Sequence, residues 1–288
     1  MIRNCIQTIM ALLFFLLPCT LPAQETTSPE RARIPVRTLA VDSLAYQAGE
    51  SLDFQMHYTW GMLNSNVGSA RVVLDTARVE GLKCFHTTVS GKTTRLFDLF
   101  FKVRENFQSW FTCDGLRPVK FSRDSHEGPY SARNDYDYHW GTDSSYVAAE
   151  VYTSSHGTVK TVMPLDDCTF DLPSLFFFAR NMDFSRVEPG KKHPMTFAVD
   201  DDVYDVYFIM YGPETIHVKG VGNVRTIRFG ARLLAGEVFT GDQDMSVWIT
   251  DDENRSPVYF EAPILEGTAS GWLTGWSGLK HDFSSRVI

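Results

Sequence analysis

The sequence predicts a mainly β protein: one large, curved antiparallel sheet, an open barrel or a sandwich, with one principal helix packed on it. Apolar and polar residues alternate with period two through most of the chain. Glycine, asparagine, aspartate and proline separate the alternating runs. A dozen or more short strands at this spacing are typical of a sandwich or a barrel. Only one long apolar segment departs from the period, and it predicts the helix.

Residues 1–23 have the pattern of a secretory signal peptide. A cationic start is followed by an apolar run at 6–17, which is too short to span a bilayer as a helix. Two cleavage chemistries compete here. Pro18 is unfavourable for lipid attachment at Cys19, whereas Ala23 meets the small-residue requirement, so cleavage after Ala23 is favoured. We therefore expect an exported protein, in the periplasm or associated with the outer membrane.

The rest of the chain divides into a linker and a single domain. Residues 24–40 are polar, contain two prolines and show no period, which indicates a flexible linker. Residues 41–288 are predicted to form a single antiparallel β domain. No apolar run after residue 23 reaches membrane-spanning length, so no transmembrane segment is expected in the mature chain.

Alternation is clearest at residues 51–58 and 132–140. In the first run Leu52 and Phe54 alternate with polar neighbours, which predicts a half-buried strand with one wet face. Residues 203–210 are largely apolar on both faces, as expected of a strand covered on each side. Further strands are predicted at 68–74, 85–89, 102–111, 118–123, 146–152, 158–163, 195–199, 215–218, 221–229, 245–250 and 257–261. The predicted breaks between strands include Asp114-Gly115, Gly128-Pro129, Gly212-Pro213 and residues 251–254.

The segment that breaks the period is 174–184. Its sequence, SLFFFARNMDF, is too apolar for a loop. Asp171 and Pro173 precede it as helix-start residues, and Glu188-Pro189-Gly190 follows as a stop. We predict the principal helix here, packed over the sheet.

Charge and cysteine content exclude several classes of protein. Without the signal peptide the chain has 26 Lys and Arg against 35 Asp and Glu, and no basic tract that could neutralise phosphates, so nucleic acid is not an expected partner. Cys84, Cys113 and Cys168 remain after cleavage. An odd count without a C-x-x-C motif argues against a disulfide framework or a zinc site. A Cys84–Cys113 bridge and three buried thiols are both compatible with the sequence, and the thiols are favoured.

Several motifs spread along the chain carry a family resemblance. They are YQAGESLDFQMHYTWGMLNSNVGSA at 46–70, DGLRP at 114–118, residues 171–180 ahead of Glu188-Pro189-Gly190, YGPE at 211–214, and VWITDD at 247–252 followed by Pro257-Val258. On these motifs the chain resembles the DUF3108 family of exported bacterial proteins, whose activity is unknown. The pattern is also similar to the open half-barrels of periplasmic lipoprotein carriers, which hold acyl chains under a helical lid. That second likeness is an architectural analogy, because a fold does not fix a function.

Motifs for familiar chemistry are absent from the sequence. There is no G-x-S-x-G elbow, and no two histidines lie one helical turn apart on a predicted helix. The acidic clusters lack the alternating spacing of a calcium loop. Asp135 and Asp137 share one strand face and could act as an acid and base pair, but Arg133 beside them favours a solvated charge ladder. We therefore expect a non-catalytic protein with no metal site and no cofactor.

Aromatic residues are the surplus of this sequence, with 21 Phe, 11 Tyr and 6 Trp. Two groups stand out, one in a predicted connection at 96–101 and one on the helix. Three consecutive Phe point in three directions at about 100° per residue, so at least one ring must leave the sheet. Either a second protein layer covers it, which is favoured, or it lines a cavity. The candidate ligand-binding residues are Phe176, Phe177, Phe178, Phe97, Phe100 and Phe101.

Three functions remain open on these observations. The leading hypothesis is a cell-envelope protein that binds an apolar or amphiphilic molecule on a curved β surface. The second is a structural or scaffold module that pairs with another envelope protein through a flat patch or a sheet edge. The third is an enzyme acting on envelope polymers, for which the motivating residues are Asp135, Asp137 and His139.

Overall fold

The computed structural model describes residues 43–142, 144–231, 245–264 and 267–287. The predicted signal peptide and linker lie outside the described residues. The strands are β1 Ser51–Trp60, β2 Leu63–Val79, β3 Leu82–Thr93, β4 Val103–Thr112, β5 Pro118–Glu127, β6 Tyr130–His139, β7 Tyr146–Thr153, β8 Gly157–Pro164, β9 Thr169–Phe170, β10 Lys192–Val199, β11 Asp202–Val218, β12 Gly222–Ala231, β13 Met245–Thr250, β14 Pro257–Ile264, β15 Gly267–Ser277 and β16 Arg286–Val287. The helices are α1 Arg95–Asp98 and α2 Leu172–Ala179, with a 3-10 turn at Phe184–Arg186.

The strands form one large sheet that is not closed into a barrel. Its order is β8-β7-β6-β5-β4-β3-β2-β1-β15-β14-β13-β12-β11-β10-β9, with β16 beside β12. Every pairing along it is antiparallel except the short parallel pair of β9 and β10. The predicted fold class is confirmed, and α2 is the principal helix of the described residues.

Side-chain alternation produces an inner and an outer face, as predicted. Leu52, Phe54, Met56 and Tyr58 of β1 are buried and their neighbours are partly exposed. In β6 the even-numbered residues from Ala132 onward are buried and the odd-numbered ones from Arg133 onward are exposed. We call the buried side the inner face. Most of the buried apolar side chains lie on it, and α2 packs there against β3 and β4.

Helix α2 begins and ends earlier than the predicted segment 174–184. The helix-start residue was correctly identified, because Asp171 is the N-cap and accepts from the Ser174 amide at 2.9 Å. The helix stops at Ala179 because the next two side chains turn into buried polar contacts. Asn181 donates to the Phe177 carbonyl at 2.9 Å and accepts from the Ala45 amide at 2.9 Å.

The break predicted at Gly212-Pro213 is wrong, because β11 runs straight through it. A bulge between Met210 and Gly212 absorbs the irregularity, and Gly212 has φ +114°. Strand β10 pairs only with the part of β11 from Asp202 to Ile209. Beyond that point β11 has β12 as its partner on one side only, so the missing N–H of proline costs no ladder bond.

Strand β15 was not predicted, although it lies between β1 and β14 in the middle of the sheet. Its sequence, GTASGWLTGWS, is rich in the small residues that indicate a loop. The tertiary structure explains one of these glycines. A Cβ on Gly271 would lie 2.4 Å from Cζ of Phe260, so the ring of the neighbouring strand occupies the space of the missing side chain.

Candidate functional site

Two connections at one end of the sheet expose large apolar side chains. Strands β1 to β4 are consecutive and antiparallel, so the β1–β2 turn and the β3–β4 connection lie at the same end. The Thr94 amide donates to the Val67 carbonyl at 2.9 Å, which joins the start of the β3–β4 connection to β2. We call the exposed residues of these connections the apolar end: Trp60, Met62, Leu63, Leu96, Leu99 and Phe100.

The β3–β4 connection is ordered by the side chains that it turns inward. Phe101 is buried, and Phe97 packs partly buried against the core. Phe101 fills the space beside Gly128, where a Cβ would lie 2.5 Å from its ring. Leu99 and Phe100 stay 79% and 69% exposed between these anchors. The side chains of Phe97 and Phe101 therefore anchor the backbone on both sides of the solvent-exposed Leu99 and Phe100.

A charged network supports the base of the same connection. Arg104 donates to both oxygens of Asp98, at 3.0 and 2.6 Å, and the Thr93 hydroxyl donates to the same carboxylate. The hydrogen bonds from Arg104 lower the pKa of Asp98 to about 2. The Asp98 carboxylate therefore stays ionised and paired over the ordinary pH range, which fixes α1 on the end of β4.

A second cluster lies buried on the inner face, where β5 meets the turn between β10 and β11. Arg123 is fully buried, donates to Asp200 Oδ1 at 3.1 Å and donates to the Ser125 hydroxyl at 2.6 Å. A carboxylate oxygen of Glu127 lies 3.7 Å from its guanidinium. Ser125 donates in turn to Glu105. One guanidinium thus faces three carboxyl groups in the interior.

The pKa values of this cluster follow from its burial. Burial raises the pKa of Glu105 to about 8 and that of Glu127 to about 7, and in both cases the Arg123 charge opposes the shift. The two glutamate carboxyls lie within hydrogen-bonding reach of each other. A proton held by this pair at neutral pH reduces the negative charge that Arg123 must balance.

Another buried ion pair joins Arg180, at the end of α2, to Glu50, just before β1. Arg180 donates to the two oxygens of Glu50 at 2.5 and 3.0 Å, and its Nε donates to the Asn254 carbonyl at 3.1 Å. The guanidinium also lies over the Tyr46 ring at 5.1 Å. The contact is bidentate and both side chains are buried, so we interpret this ion pair as structural.

Comparison with known proteins assigns the chain to a protein family. The profile of "Protein of unknown function (DUF3108)" matches residues 53–274. The chain belongs to the DUF3108 family. This confirms the resemblance carried by the sequence motifs, and it assigns no activity. No curated protein matches the chain.

Two solved structures resemble this DUF3108 chain. The first is a β-barrel-like protein of the domain of unknown function DUF1849 from Brucella abortus, with a TM-score of 0.51 and 10% identity, covering 82% of this chain and 100% of that one. It shows a common fold and nothing about activity. The second is a predicted exported protein with a YmcC-like fold from Bacteroides fragilis, with a TM-score of 0.35 and 7% identity over 81% and 97% of the chains. That likeness is too weak to support an inference.

The six aromatic residues proposed from the sequence fall in two separate places on this family member. Phe177 and Phe178 are buried, where Phe177 contacts Tyr46 and Phe111 at ring distances of 4.8 and 5.7 Å. Phe176 is partly buried at the edge of the core. The other three, Phe97, Phe100 and Phe101, belong to the β3–β4 connection. Ligand binding by any of them stays a prediction.

The residues of the enzyme hypothesis lie on the outer face of β6. Asp137 is paired with Lys120 at 3.0 Å across the strands, as the charge-ladder interpretation predicts. His139 stacks on Tyr146 at 4.6 Å beside an open groove of about 770 Å³, and Asp135 and Asp137 do not line that groove. In the described part of the chain, no three His, Cys, Asp or Glu residues are placed to hold a metal ion. Nor does this part contain a helix long and apolar enough to cross a membrane.

The inner-face charges were missed in the sequence, although a signal for them was present. In β5, Arg123 has the same parity as Phe121, which places its guanidinium on the buried face. Glu105 likewise shares its parity with Phe107 in β4. Charged residues at apolar positions of an alternating strand indicate a buried polar cluster.

Proposed function

We propose that this DUF3108 protein is an exported, non-catalytic protein that binds an apolar or amphiphilic molecule through its apolar end. The observation that carries the proposal is the ordered exposure of Leu99 and Phe100 between the anchors Phe97 and Phe101. Export rests on the signal-peptide pattern of residues 1–23.

Hydration free energy explains why such an end favours a ligand. Fully burying a Leu or Phe side chain contributes about 1.5–3 kcal/mol of favourable free energy. A ligand that covers an exposed Leu or Phe would gain much of this contribution. Single exposed apolar residues are ordinary, whereas a concentration at one end indicates an interaction site. Six of the fourteen large apolar side chains exposed in the described residues belong to this end. An acyl chain lying across both connections would remove them from water.

Titration with a fluorescent fatty-acid analogue tests the proposal. We expect saturable binding by the unmutated protein and at least a tenfold weaker affinity for a Leu99→Ser/Phe100→Ser double variant. Val162→Ser is the matched control, because Val162 is 66% exposed on β8, at the edge of the sheet. No saturable binding by the unmutated protein, or equal losses in the control, would remove the proposal.

The second candidate function is a module that pairs with another envelope protein through a sheet edge. The observation that favours it is β8, the last strand in the sheet order, whose residues Val159 and Val162 are exposed on opposite faces. If Val162→Ser abolishes association with a co-purifying protein while the fatty-acid analogue never binds, this alternative takes precedence.

A further inference from the structure

We propose that the apolar end docks on the surface of an anionic phospholipid bilayer, with its apolar side chains in the interface and its cations on the headgroup phosphates. This inference rests on the proposed function, because it names the source of the amphiphile. It depends on a separate observation, which is the positive charge of the segment that carries the exposed apolar residues.

The segment from Lys92 to Arg104 has a charge opposite to that of the whole chain. Its sequence, KTTRLFDLFFKVR, contains four cations and one carboxylate, whereas the full chain has a formal net charge of −8. The single carboxylate, Asp98, is paired with Arg104. Lys92 and Arg95 are exposed and make no ion pair within the described ranges. The positive charge of this segment is therefore available to an anionic partner.

The position of the cations relative to the apolar residues fits a membrane interface. Arg95 and Lys102 flank the exposed Leu96, Leu99 and Phe100 along the chain, and both cations are exposed. Apolar residues between cations are typical of segments that insert into the boundary between headgroups and acyl chains. Protein partners also use apolar residues, but they do not require cations on both sides of them.

Two cations of this segment, Lys92 and Arg104, lie on the outer face of the sheet. Lys92 lies directly opposite Arg104 on β4, and Arg104 lies directly opposite His126 on β5. Like charges in opposite positions destabilise a sheet, so the Lys92–Arg104 pair carries an energetic cost, which the Asp98 carboxylate beside Arg104 offsets in part. The three side chains line an open trough of about 560 Å³, together with Arg71 and the acidic residues Asp53, Glu105 and Asp124. A lipid phosphate at Lys92 would relieve the remaining repulsion between Lys92 and Arg104.

The β1–β2 turn extends the same surface. Trp60 is partly exposed and Met62 is fully exposed beside it, and both precede the start of β2 at Leu63. Tryptophan is enriched at membrane interfaces because its ring is apolar and its N–H is polar. The surface thus offers two apolar connections, one of them flanked by cations.

Co-sedimentation with vesicles tests the inference. Vesicles of phosphatidylcholine alone are compared with vesicles that contain about 30 mol % phosphatidylglycerol. We expect the unmutated protein to bind only the anionic vesicles strongly, and to dissociate as the salt concentration rises from about 50 to 300 mM. A Lys92→Gln/Arg95→Gln variant should bind about fivefold less for each cation removed. Leu99→Ser/Phe100→Ser should lose binding at every salt concentration.

Lys160→Gln/Lys191→Gln is the charge-matched control, because both lysines are exposed and lie outside this segment. It should bind as the unmutated protein does. Equal binding to neutral and anionic vesicles, or parental binding by the Lys92→Gln/Arg95→Gln variant, would overturn the inference. The fatty-acid titration separates the two proposals. If the analogue binds at the apolar end while vesicle binding fails or ignores charge, the docking inference alone is wrong.

Discussion

The guanidinium of Arg123 on β5 and the carboxylate of Asp200, in the turn between β10 and β11, form a buried ion pair of 3.1 Å across 77 positions of sequence. Strand β5 lies far from β10 and β11 in the sheet order. The pair therefore forms only because the sheet curls and brings its two halves together. Asn134 also donates to Asp200 at 3.0 Å, and the Tyr136 hydroxyl donates to its carbonyl at 2.7 Å. Asp200 itself has φ +51°. The turn is therefore held against β5 and β6 by directed polar contacts.

Removing Arg123 should be among the more destabilising single changes in this protein. Arg123→Met leaves three carboxyl groups buried without their cation, and breaking a buried pair costs about 3–5 kcal/mol. Urea unfolding followed by circular dichroism measures the loss. Arg71→Met is the matched control, because Arg71 makes a bidentate ion pair with Asp53 at an exposed site. A similar loss in both variants would contradict the role assigned to burial.

The free energy of unfolding should fall as the pH rises through neutrality. The folded-state pKa values of Glu105 and Glu127, about 8 and 7, lie above the ordinary value of a glutamate. The folded protein thus binds more protons than the unfolded chain, so this stability is complete below about pH 4.5 and is lost as the pH rises through 7 and 8. Asp171, whose burial raises its pKa to about 6, acts in the same direction. Tyr130, Asp200 and Arg123 face the same pair.

Urea unfolding at several values between about pH 5 and pH 8.5 checks this dependence, and we expect a decrease on the order of a few kcal/mol. Glu105→Gln should reduce the slope and raise the stability at the alkaline end relative to the unmutated protein. Glu188→Gln, at an exposed site, should leave the slope unchanged. A stability that increases with pH over this range would refute the assignment.

The three consecutive phenylalanines of α2 should respond differently to truncation. Phe177→Ala and Phe178→Ala remove buried rings and should each cost about 3–5 kcal/mol. Phe176→Ala should cost less, because this ring is only partly buried. Phe100→Ala is the exposed control and should leave the stability nearly unchanged.

Binding of the fatty-acid analogue to the same variants extends this comparison. Phe176 is partly buried on α2 and lies outside the apolar end, so Phe176→Ala should leave binding of the analogue unchanged. If Phe177→Ala instead weakens binding and leaves stability intact, a ligand cavity lies under α2 and the apolar end is not the site.

The three cysteines of the described residues should differ in their reactivity with a thiol reagent in the native state. Cys84 and Cys113 are buried, and burial raises the pKa of both thiols, so little thiolate is available. Cys168 is only partly buried and should react first. Counting modified thiols by intact mass, before and after urea, measures the order. A native mass lower by two hydrogens, with only Cys168 reactive after unfolding, would establish a Cys84–Cys113 disulfide instead.

Part of the candidate site could be read from the sequence. The aromatic excess of the β3–β4 connection marked the segment that forms the apolar end, and Phe100 was among the residues named. The sequence could not distinguish Phe100 from Phe101, because they are adjacent residues of the same type. In the structure Phe100 is exposed and Phe101 is buried. The contribution of Met62 was missed, since a single Met in a turn has no pattern around it. Which of these side chains stays in water depends on what packs beside them.

The sequence by itself determined the class of the fold and several local features. Period-two alternation predicted that β1 and β6 are half-buried strands, and Asp171 predicted the start of α2. Both predictions succeeded because each signal depends only on residues that are near in the chain. Only the tertiary structure decided which buried charges meet. Arg180 and Glu50 pair across 130 positions, and Arg123 and Asp200 across 77. Alternation shows that a side chain points inward, but its partner there depends on the curvature of the whole sheet, which no local pattern records.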